Sequence, residues 1–211
     1  VNWVRVVKSN TEIKFMKAAA EISQLGMKKA FEAINPGIRQ CDAVSEIYST
    51  LIKGTPEFGG DYSSIVPMIP TGKGTSASHL TWSEDKFREG EATIIELSGV
   101  NKKYHCPMAR TVLLGKSDQK KIDTMKKTNE ALQAGIDKVK PGNTADEVAQ
   151  AFWKILDKYG IEKTSRTGYS IGIGYPPDWG EHTLNISKND MTVLQPNVTF
   201  HMIAVMQFGN W

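Results

Sequence analysis

The sequence predicts an α+β fold built from two pseudo-symmetric αα-ββ halves. Three observations predict it. First, two segments share one plan. Lys29-Ala-Phe-Glu-Ala-Ile-Asn-Pro36-Gly37 precedes Asp42-Ala-Val-Ser-Glu-Ile-Tyr48, and Ala134-Gly-Ile-Asp-Lys-Val-Lys-Pro141-Gly142 precedes Asp146-Glu-Val-Ala-Gln-Ala-Phe152. In each, an amphipathic helix stops at Pro-Gly, and a second helix starts near an aspartate whose charge suits a helix N-terminus. Second, strand-like chain follows each helix pair, at residues 64–69 and 93–97 in the first half and at residues 191–194 and 198–205 in the second. Third, residues 91–111 read as a strand pair joined by a turn at residues 99–103.

The helices can be justified in order. Asn10-Thr11-Glu12 supplies a capping start, and Ile13, Met16, Ile22, Leu25 and Met27 form a mostly core-facing stripe. Ser117-Asp118 starts the matching helix of the second half, with Ile122, Met125, Leu132 and Ile136 inside. A gene duplication would produce this doubling. It predicts a site between two curved sheets to which both halves contribute.

Composition narrows the function classes. The chain has 211 residues, 40% hydrophobic and 23% charged, as in an ordinary globular protein with a real core. The formal net charge of +3 is small, and the basic residues are scattered, which argues against nucleic acid as a partner. No apolar run approaches the roughly 18–20 residues that span a bilayer, so no membrane partner is expected. Cys41 and Cys106 lie far apart without metal or redox spacing, which suits a reducing, cytoplasmic setting. Cys106 reads as an inert thiol, because no positive cluster is present to lower its pKa.

The candidate site centres on Glu96. Thr93, Ile94, Ile95 and Leu97 make an apolar, β-rich run with this one carboxylate inside it. A carboxylate there is costly unless paired or used. His105 follows across the turn, and His79 lies upstream in Ser78-His79-Leu80. Glu96, His79 and His105 are therefore the catalytic candidates. Asp61 and Glu181 are candidate carboxylates for a cationic substrate, although Asp61 would also serve as a turn residue and Glu181 as a loop charge. Tyr62, Trp82, Tyr104, Tyr169 and Trp179 are candidate pocket walls, since an aromatic face suits a flat cation. Aromatic residues are more often simply core.

Two weaker motifs are discounted. Gly168-Tyr-Ser170-Ile-Gly172 matches the G-x-S-x-G elbow of serine hydrolases, but Pro176 and Pro177 forbid the helix that must follow. Gly72-Lys73-Gly74 lacks the spacing of a phosphate loop.

The doubled helix–Pro-Gly–helix plan and the motif order resemble the pita-bread fold of methionine aminopeptidase, aminopeptidase P, prolidase and creatinase. The resemblance runs from Lys8 to Trp211. It implies a curved antiparallel sheet, a homodimer, a linker at residues 1–8 leading from a further N-terminal domain, and a catalytic domain at residues 9–211 that is cut before its C-terminal end.

The peptidases of that family carry the metal ligands Asp, Asp, His, Glu and Glu in order. Their first four positions fall on Glu96, Pro107, Tyr169 and Ile203, and the last lies beyond Trp211. Proline and isoleucine offer no donor, so no metal and no other cofactor is expected. The family's substrate-side histidine matches His79, and the equivalent residue of metal-free creatinase transfers the proton. Arg110 matches an arginine that is mainly structural in the family. Four segments narrow the resemblance to the ectoine hydrolase branch: Glu57-Phe-Gly-Gly-Asp-Tyr62, Ser78-His-Leu-Thr-Trp-Ser83, Tyr104-His-Cys-Pro107 and Gly174-Tyr-Pro-Pro-Asp-Trp-Gly-Glu181. The resemblance implies a metal-independent C–N hydrolase that opens a small cyclic amidine such as ectoine. A creatinase-like amidinohydrolase, an Xaa-Pro peptidase relative and an inactive binding module are the alternatives.

Overall fold

The structure is a computed structural model and describes residues 2–206. The chain divides into two compact units. Unit 1 comprises residues 2–10, 118–171 and 180–206, and unit 2 comprises residues 11–117 and 172–179.

Unit 2 holds the first helix pair, α1 (Asn10–Ala33) and α2 (Gln40–Lys53), and the hairpin of β1 (Ala92–Asn101) and β2 (Tyr104–Leu113). β1 and β2 pair antiparallel along their whole length, from Ala92↔Leu113 to Asn101↔Tyr104. The turn is therefore Lys102-Lys103, both at positive φ, and residues 99–101 belong to the strand. Ile95, Leu97 and Gly99 of β1 face the helices. Ile95 and Leu97 join Ile22, Met27, Ala30, Val44, Ile47 and Leu51 in one core cluster. Gly99 lets α1 come close, because a Cβ there would stand 2.4 Å from the Ala19 carbonyl oxygen. Successive strand residues alternate between faces, so Glu96, Ser98 and Val100 point away from the helices. Leu25, expected on the core stripe of α1, is 38% exposed.

Unit 1 holds the second pair, α3 (Gln119–Asp137) and α4 (Ala145–Lys158). Asp118 caps α3 by accepting from the Lys120 amide, and Thr144 and Glu147 form a capping box on α4. β3 (Gly168–Tyr175) and β4 (Asp178–Ile186) follow in sequence, with residues 172–179 counted in unit 2, and β5 (Phe200–Met202) pairs antiparallel with the start of β3. Ile136, expected inside, is 44% exposed. The β3 and β4 strands were not anticipated, and the G-x-S-x-G segment lies within β3. Ser170 is buried there, 2.6 Å from the Thr183 hydroxyl.

The Pro-Gly repeat has the same local setting in each unit. Gly37 (φ 88°) donates its N–H to the Phe87 carbonyl at 2.9 Å, and Gly142 (φ 95°) donates to the Leu194 carbonyl at 2.9 Å. The Gln40 and Cys41 amides then meet the Asp85 and Ser83 carbonyls, while the Ala145 and Asp146 amides meet those of Thr192 and Asp190. In both cases alternate carbonyls of an extended segment satisfy the first amides of a helix, which lack partners within it. This also corrects the strand expected at residues 191–194. Its carbonyls serve a helix start, and only an isolated Thr144↔Val193 bridge forms. Residues 64–69 likewise make only the Met68↔Glu96 bridge, and the run at 198–205 is a strand over Phe200–Met202 alone.

The segment expected to be a linker is joined to unit 1. Val7 bridges Val198, the Lys8 amide donates to the Asn197 carbonyl at 3.0 Å, and Lys8 is 2% exposed. Gln207 to Trp211, read as a truncated end, lie outside the described residues. Among the described residues no helix is long and apolar enough to cross a membrane.

Candidate functional site

Glu96 stands at the centre of β1, on the face turned away from the helices. Its backbone is held from both sides. It pairs with Ala109 on β2, while on the other edge its N–H donates to the Met68 carbonyl at 2.9 Å and its carbonyl accepts from the Met68 amide at 2.8 Å. Only 8% of the residue is exposed. Burial pushes its carboxyl above the ordinary glutamate value, and the charge of His79 acts in the opposite sense. His79 is exposed and held at φ 65°, a left-handed conformation uncommon for a non-glycine residue. The structure thus brings Glu96 and His79 within electrostatic reach of each other.

His105 shares a sheet face with Glu96 but lies further along it. Cross-strand pairing sets it opposite Val100, on the same face as Glu96 but four residues along, a distance of roughly 13 Å. It is fully buried, and both ring nitrogens are engaged. Nε2 accepts from the Ser64 amide at 2.9 Å and lies 3.0 Å from the Ser64 hydroxyl, while Nδ1 lies 2.9 Å from the Lys103 carbonyl. An amide can only donate, so Nε2 carries no proton and Nδ1–H donates to Lys103. Burial also lowers the His105 pKa. Both ring nitrogens of this neutral imidazole are thus bonded to groups other than Glu96.

The aromatic and acidic candidates separate by setting. Asp61 is paired with Lys103, whose ammonium also sits 3.1 Å from the centre of the Tyr62 ring. Burial opposes the Asp61 charge, but Lys103 and the Tyr62 amide hold the carboxyl below its ordinary value. Tyr62 is 57% exposed. Trp82 meets Tyr48 edge-on at 6.1 Å, and the Tyr104 hydroxyl donates to Glu12 at 2.8 Å. Trp179 is 1% exposed, with its ring 6.4 Å from that of His105, so it is core and not an accessible wall. Cys106 is raised by burial, as befits an inert thiol.

In unit 1, Glu181 is not a loop charge. It is fully buried on β4, and its Oε2 lies 2.7 Å from Lys8 Nζ, so its charge is committed to a lysine. Tyr169 faces His201 across the β3–β5 pair, with 3.3 Å between the hydroxyl and Nδ1, and Arg166 lies 4.3 Å over its ring. Lys8, Ser64 and His201 were missed from the sequence. His201 carried the signal that had marked Glu96, a polar residue inside an apolar run. Lys8 and Ser64 carried none.

The donor set can be compared with what a dinuclear metal site demands. Pro107 sits opposite Ser98, on the Glu96 face, and offers no donor atom. Among the described residues, no three His, Cys, Asp or Glu side chains gather closely enough to hold a metal ion.

Comparison with known proteins agrees with the fold. The chain is 44% identical to the ectoine hydrolase of Halomonas elongata over its full length, which spans 54% of that relative. It is 39% identical to an uncharacterized hydrolase/peptidase of Sinorhizobium fredii, again spanning 54% of the relative. The prolidase of Pyrococcus furiosus superimposes with a TM-score of 0.84 at 22% identity, covering 94% of this chain and 57% of that one. The chain therefore spans about half the length of the relatives it matches, and its sheet and helix pairs are those of the pita-bread fold. The model of metallopeptidase family M24 matches residues 14–209, and the chain belongs to that family.

Proposed function

We propose that the protein is a C–N hydrolase that opens a small cyclic amidine, with ectoine the leading candidate, and that it does so without a resident metal. The observation that carries this reading is the 44% identity, over the whole chain, to a protein named for ectoine hydrolysis. The buried Glu96, within electrostatic reach of His79, supplies matching chemistry. A carboxyl raised towards neutrality is a better general base, and desolvation sharpens it as a nucleophile.

Glu96 either attacks the amidine carbon or takes a proton from the water that does. Addition converts the carbon to a tetrahedral centre. The ring C–N bond then breaks, and His79 delivers a proton to the departing nitrogen. Water is added overall, leaving one nitrogen as an amide and the other as an amine. With a direct attack the carbon stays bound to Glu96 as an imidoyl ester, and water then adds to that carbon, expels the Glu96 carboxylate and leaves the amide. Pro107 and Tyr169 stand where the peptidases of the family place ligands, so these residues do not fit a dinuclear site and no step is routed through one. A small-molecule substrate, a homodimer and a cytoplasmic setting belong to the same proposal.

The test is turnover by the full-length protein of ectoine, creatine and Xaa-Pro dipeptides, each with and without chelator. Ectoine opening at an unchanged rate in chelator is expected. Cleavage of Xaa-Pro dipeptides alone, abolished by chelator, would overturn both the substrate and the metal-free chemistry.

A further inference from the structure

The chain between residues 61 and 68 makes an arch over the face that carries Glu96. Its two feet rest on the free edge of β1. The Asp61 amide donates to the Val100 carbonyl at 2.9 Å, and Met68 pairs with Glu96. Seven residues separate these feet, but only four separate their partners on β1. The surplus cannot lie flat along the edge. Ser64 shows where it goes, because its amide and hydroxyl reach His105 on β2, the far strand of the hairpin. To arrive there the arch must cross β1 near Ser98 and Val100, on the side of the sheet to which Glu96 and His105 both project. Ser64, Ser98 and Val100 are all buried.

We infer that His105 is a positioning residue that pins this arch as an end wall beside Glu96. The inference rests on the proposed role of Glu96 as the reacting group. His105 serves as an adapter. Its Nδ1–H donates to the Lys103 carbonyl, and its bare Nε2 accepts from two donors on Ser64, which no protonated imidazole can do. The charged groups that act on it are Lys103 and Asp61, which oppose each other, and the remaining neighbours Trp179 and Gly174 are neutral. The wall closes the strand direction from Glu96 towards the hairpin tip, so a ligand held at Glu96 meets it end-on. Loosening the pin weakens ligand binding and leaves the bond-breaking groups in place.

Three readouts on the full-length protein test this. A long-range proton–nitrogen spectrum of the wild type should show His105 neutral, protonated at Nδ1, through the pH range near 6.5 where a free imidazole titrates. A proton on Nε2, or titration in that range, would overturn the pin. His105→Phe keeps the ring and removes both nitrogens. Exchange of the Ser64 amide should then accelerate at least ~10-fold, while the Leu97 amide stays protected. KM for ectoine should rise at least ~5-fold with kcat within ~2-fold, as for lost binding without lost chemistry. Ser64→Ala, which keeps the amide donor, should give a smaller change of the same kind. Unchanged Ser64 exchange in His105→Phe, or a fall in kcat at constant KM, would contradict the inference. If His105→Phe does not fold, the wild-type spectrum and Ser64→Ala decide. If ectoine is not turned over, the spectrum and the amide exchange still decide, so failure of the substrate reading is distinguishable.

Discussion

Lys8 Nζ lies 2.7 Å from Glu181 Oε2, with both side chains 1% exposed. The two residues are 173 positions apart in sequence and meet in the interior of unit 1. Taking two charges out of water costs several kcal/mol per ion, and each repays the other only while both are present. Lys8→Met should therefore destabilise the protein by about 3–5 kcal/mol, because it strands a buried carboxylate. Lys8→Met combined with Glu181→Leu should recover most of that loss. Denaturant unfolding of the single and double variants checks this, and a Lys8→Met variant within ~0.5 kcal/mol of the wild type would refute it.

Glu96 should be a site where function and stability conflict. Its carboxyl is raised by burial, so the folded protein holds that proton more tightly than the unfolded chain does. The resulting stability is fully present below the unfolded glutamate value of about 4.3 and is lost as pH rises through the higher folded value. Glu96→Gln removes the loss. The variant should melt at a higher temperature than the wild type at pH ~7, and the gap should close towards pH ~4. Equal melting temperatures at both pH values would show that the carboxylate is not desolvated.

The helix–strand approach in unit 2 depends on Gly99. An added Cβ would stand 2.4 Å from the Ala19 oxygen and 2.4 Å from the Ser23 nitrogen, both backbone atoms that cannot swing aside. Gly99→Ala should cost about 1–3 kcal/mol or more by pushing α1 off β1. Gly37→Ala meets no atom within 4 Å but must adopt φ 88°, so its cost of about 1 kcal/mol is pure backbone strain. Thermal unfolding of the two variants should rank Gly99→Ala as the worse.

The parts of the fold that could be read from sequence were those with local signals. Both helix pairs declare themselves through 3.6-residue periodicity and Pro-Gly stops, and the Glu96 strand through its apolar run. The β3–β4 hairpin did not, because Gly168-Tyr-Ser-Ile-Gly-Ile-Gly-Tyr175 is glycine-rich and Pro176-Pro177 looks like a loop. Residues 191–194 misled for a different reason. They are extended and apolar, but their carbonyls are spent on the start of α4 and not on a neighbouring strand. In the candidate site, Glu96 and His79 are legible because each stands out against its own surroundings in the sequence. His105 stands out for the same reason, but its bond to Ser64 is not legible, because that partner lies 41 residues away and leaves no trace nearby. Lys8 escaped on the same ground, and Glu181 was misjudged with it.

The central claim is that Glu96 carries the chemistry of a metal-independent C–N hydrolase. The most direct measurement is the rate of ectoine ring opening by the full-length protein, wild type against Glu96→Gln, in the presence of chelator. The substitution keeps the shape of the side chain and removes its charge. The account predicts turnover by the wild type and a fall of at least ~10²-fold in the folded variant, the usual worth of a general acid–base group. A folded Glu96→Gln variant that opens ectoine at the wild-type rate would contradict it.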